Sequence, residues 1–212
     1  MATQHTASVI SGNYVDNCFI EWTNEQDAAP EYSNEYSFSA LSITGNIFLS
    51  GEVAPWFSYI VIKPHGVGHV INGLTINDNR FRSINGFIDR VERIDTSFAD
   101  MDYSKLRNIE MSGNSFHGIS NPVSNPVQVE HTQASPAQTW IVDIADRFPF
   151  GGWAIAVDSI VMDGPVRDAS NIAQHTTPYI MTDQGADRNL FHLVWNASVK
   201  GSVFLQARID KR

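Results

Sequence analysis

Five carboxylates crowd into one stretch of this chain: Asp89, Glu92, Asp95, Asp100 and Asp102. Glycoside hydrolysis requires two such groups, roughly 5–5.5 Å apart for retention or roughly 6.5–9.5 Å for inversion. Asp89 and Glu92, with Asp95 beside them, could supply the pair, and Asp100 with Asp102 a second one. In an acidic chain the bland alternative is a set of solvated charges. Lys63-Pro64-His65-Gly66-Val67-Gly68-His69 places two histidines four apart. That is a zinc-pair spacing on a helix, but Pro64 and the two glycines deny the helix and further ligands are not in evidence. They read as loop histidines, with no metal site and no cofactor. Trp22, Tyr32, Tyr36, Trp56 and Tyr103 are aromatic faces of the kind that stack on the apolar side of sugar rings, while Glu25, His65, His69, Asp95 and Asp102 could hydrogen-bond hydroxyls. Ordinary loop packing is the alternative for each. The sequence carries no Gly-x-Ser-x-Gly elbow, phosphate loop or dinucleotide fingerprint, so esterase and nucleotide chemistry are not expected.

Composition narrows the partners. The 212 residues hold 14 Lys+Arg against 23 Asp+Glu, a net charge of −9. Such a chain repels a phosphate backbone or an anionic bilayer, so neither nucleic acid nor membrane insertion is expected. No apolar run reaches the roughly 20 residues of a spanning helix, and Met1 to Thr6 lacks the pattern of a signal peptide. A hydrophobic content of 42% is enough for a packed core. Charged residues are only 17%, below the roughly 25% of ordinary domains, which leaves a neutral-polar surface. Cys18, the sole cysteine, can make no internal disulfide; beside Phe19 and Ile20 it is expected to be a buried thiol.

The elements that must position these groups announce themselves by repetition. Ile10-Ser11-Gly12-Asn13-Tyr14-Val15, Ile43-Thr44-Gly45-Asn46-Ile47-Phe48, Ile76-Asn77-Asp78-Asn79-Arg80-Phe81 and Met111-Ser112-Gly113-Asn114-Ser115-Phe116 place their asparagines 33, 33 and 35 residues apart. Alternation before Gly/Asp-Asn predicts a half-buried strand, the pair itself a bend with Asn in the left-handed conformation, and the apolar residue beyond it a return inward. A third apolar segment follows in three units, at Cys18–Trp22, Phe57–Ile62 and Phe87–Val91. Three short strands per unit cannot bury a face alone, and stacking successive coils supplies the partner. Other solenoid repeats, or chance repetition within an antiparallel all-β domain, are the alternatives.

The connections after the third segment are long each time: Thr23 to Ser37, Lys63 to Val70 and Glu92 to Lys105. Leaving and re-entering at the same phase, they must stack along one edge of the coil, where insertions build binding faces. That edge collects most of the residues named above. Trp56, following Pro55 between two strands, is expected as an exposed platform or an interface seal. Lys63, Arg93 and Lys105 border the same loops.

Beyond Ser120 the repeat stops. Ser-Asn-Pro-Val occurs twice in residues 120–127, and each proline extends its predecessor and removes a ladder donor. The organisation expected is therefore residues 1–121 as a coil, 122–127 as a linker and 128–212 as a second unit. Alternation at Trp140, Val142 and Ile144, at Trp153, Ile155 and Val157, at Phe191, Leu193 and Trp195, and at Val203 to Ile209 predicts antiparallel strands with the tryptophans in a core.

The asparagine ladder and triangular coil over roughly residues 7–119 resemble the right-handed parallel β-helix of the pectin-lyase-like superfamily. The whole is then all-β: a right-handed parallel β-helix of about four coils followed by an antiparallel β-sandwich or jelly roll. A repeat already under way at residue 7, without a cap, leads to the expectation of a piece of a longer chain. In that combination the chain resembles the distal part of a phage tailspike, or a head spike of a phage-like particle. The resemblance implies a homotrimer on the surface of a virion or phage-like particle, joined to other spike, capsid or tail proteins through a preceding region. It also implies binding of bacterial surface polysaccharide. Three functions stay open: a non-catalytic carbohydrate-binding module, a polysaccharide depolymerase (glycoside hydrolase or lyase), and a purely structural trimerisation module. The carbohydrate-binding residues expected are Trp22, Tyr36, Trp56, His65, His69, Asp102 and Tyr103; Asp89 and Glu92 are the candidates for catalysis.

Overall fold

A computed structural model describes residues 7–27 and 37–211. The chain is all-β, and three single-turn 3-10 segments are the helical content of the described residues. The first coil contributes β1 (Ser8–Ser11), β2 (Tyr14–Asp16) and β3 (Ile20–Thr23). The second contributes β4 (Ser37–Thr44), β5 (Ile47–Gly51) and β6 (Ile60–Lys63), and the third β7 (Val70–Asn77), β8 (Arg80–Ile84) and β9 (Glu92–Ile94). A final partial coil adds β10 (Arg107–Ser112) and β11 (Ser115–His117). They stack as three parallel sheets, β1-β4-β7-β10, β2-β5-β8-β11 and β3-β6-β9. The result is a β-solenoid of about three turns, because the last coil has no third strand stacked on β9.

Register puts like on like. Leu41, Leu74 and Ile109 form one interior column, and Ile43, Ile76 and Met111 a second. Phe48, Phe81 and Phe116 stack ring on ring at 4.9 and 5.7 Å, close to the spacing of neighbouring strands. The asparagine ladder forms at the bend between the first two sheets. Asn13 N–H donates to Asn46 Oδ1 at 3.0 Å, Asn46 N–H to Asn79 Oδ1 at 3.0 Å and Asn79 N–H to Asn114 Oδ1 at 2.9 Å. Each side-chain amide also donates to the next Oδ1. The expected backbone assignment is corrected in one respect. The left-handed residue is the one before each asparagine: Gly12, Gly45, Asp78 and Gly113, at φ between 57° and 67°. Turning there leaves the asparagine free to aim its amide along the axis.

Two further expectations are corrected. The third strand of the third coil is Glu92–Ile94 rather than Phe87–Val91, because Ile88 instead bridges Ile119 and Phe87 points to solvent. Cys18 is exposed: it lies in the corner before β3, in a rung with no further coil stacked on its outer side among the described residues.

Beyond residue 120, β12 (Val127–Asp143) and β17 (Leu190–Arg208) form a long antiparallel ribbon with register shifts between Gln133 and Thr139. β13 (Ala156–Met162) pairs with the C-terminal end of β17 and β16 (Tyr179–Gln184) with its N-terminal end. β14 (Val166–Arg167) and β15 (Ala173–Gln174) join near Lys200. Six strands are thus connected in one antiparallel sheet around β17. Its buried face carries Trp140, Val142, Leu193, Trp195, Val203 and Leu205, the expected alternation. The Trp140 indole N–H donates to Val199 O at 3.0 Å.

The two halves share one hydrophobic core. Val123 and Asn125, in the Pro-rich connection, are buried. Asn125 Nδ2 donates to Ile109 O at 2.8 Å and to Asp210 Oδ1 at 2.9 Å, and Ile109 N–H donates to Asp210 Oδ2 at 2.8 Å. Arg208, 2% exposed, binds Asp210 at 2.9 Å and Ile109 O at 2.6 Å. A buried carboxylate and guanidinium are tolerable here because each is paired and hydrogen-bonded.

Candidate functional site

The connections that follow β3, β6 and β9 do stack on one another. Asn24, buried, donates from Nδ2 to His65 O at 2.9 Å and accepts from His65 N–H at 2.8 Å. His69 Nε2 lies 2.6 Å from His65 O, and His69 O accepts from Asp102 N–H at 2.9 Å. His69 is therefore an interior brace, 0% exposed with its ring edge-on to Phe38. Trp22 is likewise interior, 2% exposed and T-shaped against Phe38. Both were expected to face a ligand. Trp22 stands in register with Ile62 of the core column, and His69 closes the loop beneath the surface, so neither does. Tyr36 and Tyr32 lie outside the described residues.

Outside this brace the edge carries aromatic faces held by cations. His65 stacks on Phe98 at 4.4 Å between ring centres, and Lys63 Nζ lies 5.0 Å from the Phe98 ring while pairing with Glu25 at 3.7 Å. Trp56, 70% exposed as expected, has the Arg93 guanidinium 5.8 Å over its ring. Tyr103 stacks on Trp153 at 5.8 Å, and Arg188 covers Trp153 at 4.1 Å. Trp153 was expected in the second core; it sits between a 3-10 turn and β13, half-buried, where it faces the solenoid instead. Phe98, Arg93, Trp153 and Arg188 were not read as site residues, since no local pattern brings Arg188 to Trp153 or Arg93 to Trp56.

The carboxylates divide by environment. Asp95 accepts from the Ser97 hydroxyl and N–H, which hold it below the usual carboxylate range, with Arg93 and Lys63 adding to the effect. Asp102 does the same with Ser104 and also pairs with Lys105 at 2.9 Å, so it too is lowered. These two cap their own turns. Asp89 is exposed and accepts from Asn121 Nδ2 at 2.5 Å. Glu92 is different. In register with Ile60 it points inward, fully buried, where Oε1 accepts from Arg90 at 2.8 Å and from Phe150 N–H at 2.7 Å. Arg90 also donates to Phe148 O. Burial pushes the Glu92 carboxyl above its usual value, against the pull of Arg90. Asp89 and Glu92 thus take different partners, one at the surface and the other in the interior.

Glu92 borders a hollow of about 250 Å³ between the third sheet and the turn Pro149–Gly151, lined by Arg90, Glu92, Arg93, Ile94, Tyr103, Phe150 and Gly151. Of these residues, Glu92 Oε2 and Arg93 Nε are sealed from solvent and have no hydrogen-bond partner among the described residues. The Tyr103 hydroxyl is pushed up to about 12 by burial first and then by Asp100, so it remains a neutral phenol at ordinary pH. Among the described residues no group of three or more His, Cys, Asp or Glu could hold a metal ion, and no helix is long and apolar enough to cross a membrane.

No protein-family model matches this chain, and no curated protein matches it. Among solved structures, the tailspike gp61 of Pseudomonas phage phi297 aligns with 94% of this chain at 13% sequence identity and a TM-score of 0.27. This chain spans 42% of the length of that tailspike. A likeness of that degree carries no argument about site or activity.

Proposed function

We propose that this chain is a carbohydrate-binding module of a receptor-binding spike, recognising bacterial surface polysaccharide without cleaving it. One observation carries the reading: the third sheet of the solenoid is bordered by aromatic faces each paired with a cation, Phe98 with Lys63, Trp56 with Arg93 and Trp153 with Arg188. A ring already fixed by a cation loses little freedom when the apolar face of a sugar stacks on it, and the neighbouring hydrogen-bonding groups then select hydroxyls. Trp56, His65, Asp102 and Tyr103 belong to this surface in the proposal, and Tyr36, in the sequence between β3 and β4, is proposed with them. The wider reading adds a homotrimer at the surface of a virion or phage-like particle, a right-handed coil, and a bent antiparallel sheet that closes as a sandwich beyond a connection at 122–127. Individual sites are weak in such a module, and an oligomer gains apparent affinity by multivalency.

Co-sedimentation with a panel of bacterial capsular polysaccharides, followed by size analysis of the polymer, tests the proposal. Trp56→Ala and Phe98→Ala should each weaken binding by about 1 kcal/mol, roughly fivefold, with unchanged circular dichroism. Polymer that shortens in a Glu92-dependent manner would establish the depolymerase alternative. Neither binding nor shortening across the panel would leave a structural module.

A further inference from the structure

The outer face of the antiparallel sheet presents a row of neutral polar groups beside an aromatic ring. In β17, Val203, Leu205 and Ala207 are buried, so alternation turns Phe204 and Gln206 outward. Gln206 pairs with Gln128 of β12 on one side and with Ser159 of β13 on the other. Ser159 reaches that place through the register shift between Val157 and Ser159, and bulges commonly re-aim a side chain in this way. One outward row further, Phe204 stands between Glu130 and Val161. The Phe204 ring is 45% exposed and, unlike Phe98 or Trp56, takes no aromatic or cationic partner among the described residues. Two clefts border the glutamine pair. Beside Phe204, Ser159 and Val161 help line one of about 330 Å³. Toward the end of the solenoid, Glu110, Ser112, Ser124 and Arg147 help line another of about 570 Å³. Both volumes fall within the roughly 300–1,000 Å³ of small-ligand sites, and the second lies where the two halves of the chain meet, a preferred place for such sites. Gln128 and Gln206 line both clefts, and neither side-chain amide has a protein partner among the described residues.

We infer that this surface is a second glycan site, where a neutral oligosaccharide lies across the glutamine pair with one ring stacked on Phe204 and the next in the cleft beside Ser124. The inference rests on the carbohydrate-binding reading and deepens it; the site shares no residue with the edge of the third sheet. Each glutamine amide both donates and accepts, and so does each serine hydroxyl, which matches vicinal sugar hydroxyls without demanding a charge. Outward rows lie roughly 7 Å apart along a strand, so a ring on Phe204 has its edge hydroxyls within reach of the row at Gln206. The charges present select against an anionic glycan. Glu110 lines the larger cleft, Glu130 flanks Phe204, and Asp158 precedes Ser159. Of the cations nearby, Arg147 donates to Gln128 O at 3.2 Å, and Arg208 is buried and paired with Asp210. A carboxylate-bearing sugar would therefore meet an acidic border with little to offset it. A metal ion finds a single carboxylate in the lining, Glu110, already 3.6 Å from Arg208. The same acidic border disfavours a second copy of this chain as the occupant.

The test uses the full chain. In ¹H–¹⁵N spectra the Gln128 and Gln206 side-chain amides and the Phe204 N–H are followed during titration. The ligands are maltotetraose, cellotetraose, laminaritetraose and oligosaccharides cut from any capsular polysaccharide that co-sediments, with tetragalacturonate as the anionic comparator. At least one neutral oligosaccharide should shift all of these signals, bind about tenfold more tightly than its methyl monoglycoside, and exceed tetragalacturonate by about tenfold. Phe204→Leu keeps an apolar side chain on the sheet but no ring. It should weaken binding read at Gln128 about fivefold, as should Gln206→Ala, with unchanged circular dichroism. Trp56→Ala should leave the shifts at Gln206 in place. Full affinity in both Phe204→Leu and Gln206→Ala, or saccharide shifts confined to the edge at Trp56 and Phe98, would overturn the second site while leaving the carbohydrate-binding reading intact. Tighter binding of tetragalacturonate than of any neutral oligosaccharide would reject the neutral-glycan assignment. Shifts at Phe204 that grow with protein concentration alone would give the face to a second copy of the chain and overturn the glycan site. Absence of any saccharide binding, in the spectra and in co-sedimentation, would remove the site and the reading together.

Discussion

Replacing Asn79 with leucine removes four hydrogen bonds from the interior of the solenoid. Its Oδ1 accepts from Asn46 N–H and Nδ2, and its Nδ2 donates to Ile43 O and Asn114 Oδ1. Not all four losses matter equally. Asn46 Nδ2 keeps Ile10 O at 2.9 Å, and Asn114 Oδ1 keeps Asn79 N–H at 2.9 Å. The group left bare is the backbone N–H of Asn46, whose burial without a partner costs about 1–3 kcal/mol, and Ile43 O forfeits a further bond worth about 1 kcal/mol. The expected loss is therefore about 2–4 kcal/mol, with no strain term, because φ is positive at Asp78 and not at Asn79. Asn13→Ala provides the control. Asn13 is exposed, and Asn46 Oδ1 still accepts from its backbone N–H at 3.0 Å, so water replaces what is lost and the cost should stay near ~0.5 kcal/mol. Urea unfolding followed by far-ultraviolet circular dichroism reads both. With a slope of about 2 kcal/mol per molar, the Asn79 variant should move the midpoint down by roughly 1–2 M and the Asn13 variant by a few tenths. Equal shifts in the two variants would mean that the ladder acts through something other than buried unpaired groups.

Two other outcomes follow from the same geometry. Asp78→Gly should stabilise by about 0.5–1 kcal/mol, since φ of 57° strains a side chain there and the equivalent positions are glycine. Gly113→Ala should destabilise, because φ is +65° and the added Cβ would stand 2.3 Å from Asp78 Oδ1; the loss should shrink in the Asp78→Gly background, measured as a double-mutant cycle in urea. Glu92 makes a pH prediction. Its folded pKa lies above the ordinary 4.5, so the native state binds the proton more readily than the unfolded chain. Its contribution is fully present below about pH 4.5 and is lost as pH rises through the folded pKa, so wild type should lose stability relative to Glu92→Gln over that window. Asp95 and Asp102, both lowered, act in the opposite sense, holding stability above about 3.8 that disappears on further acidification. A wild-type minus Glu92→Gln difference flat from pH 4 to 8 would contradict the buried-carboxyl account.

Local chemistry was enough to specify the solenoid. A period of 33 residues, alternation before the bend and a small or acidic residue ahead of each asparagine determine that strands stack and that the amides align, because these are nearest-neighbour relations repeated at one phase. The long connections and the exposure of Trp56 follow from the same arithmetic. What the sequence could not express is any relation between one phase and another. Whether Trp22 or His69 faces solvent depends on a partner 16 or 31 residues away, Phe38 in both cases, and on which side of the strand the register places it. The third strand of the third coil slid to Glu92–Ile94 because Ile88 found Ile119, which turned a carboxylate expected outside into the interior. The hollow itself is assembled from β9, the Tyr103 turn and the Phe150 turn, and its flanking stack from Tyr103, Trp153 and Arg188. Those groups converge where Arg208, Asp210 and Asn125 fasten the antiparallel sheet to the end of the solenoid and where Arg90 and Glu92 hold the turn at Phe148–Phe150. Side-chain pairing across such separations is set by the docking of preformed units, and no periodicity in either unit records it.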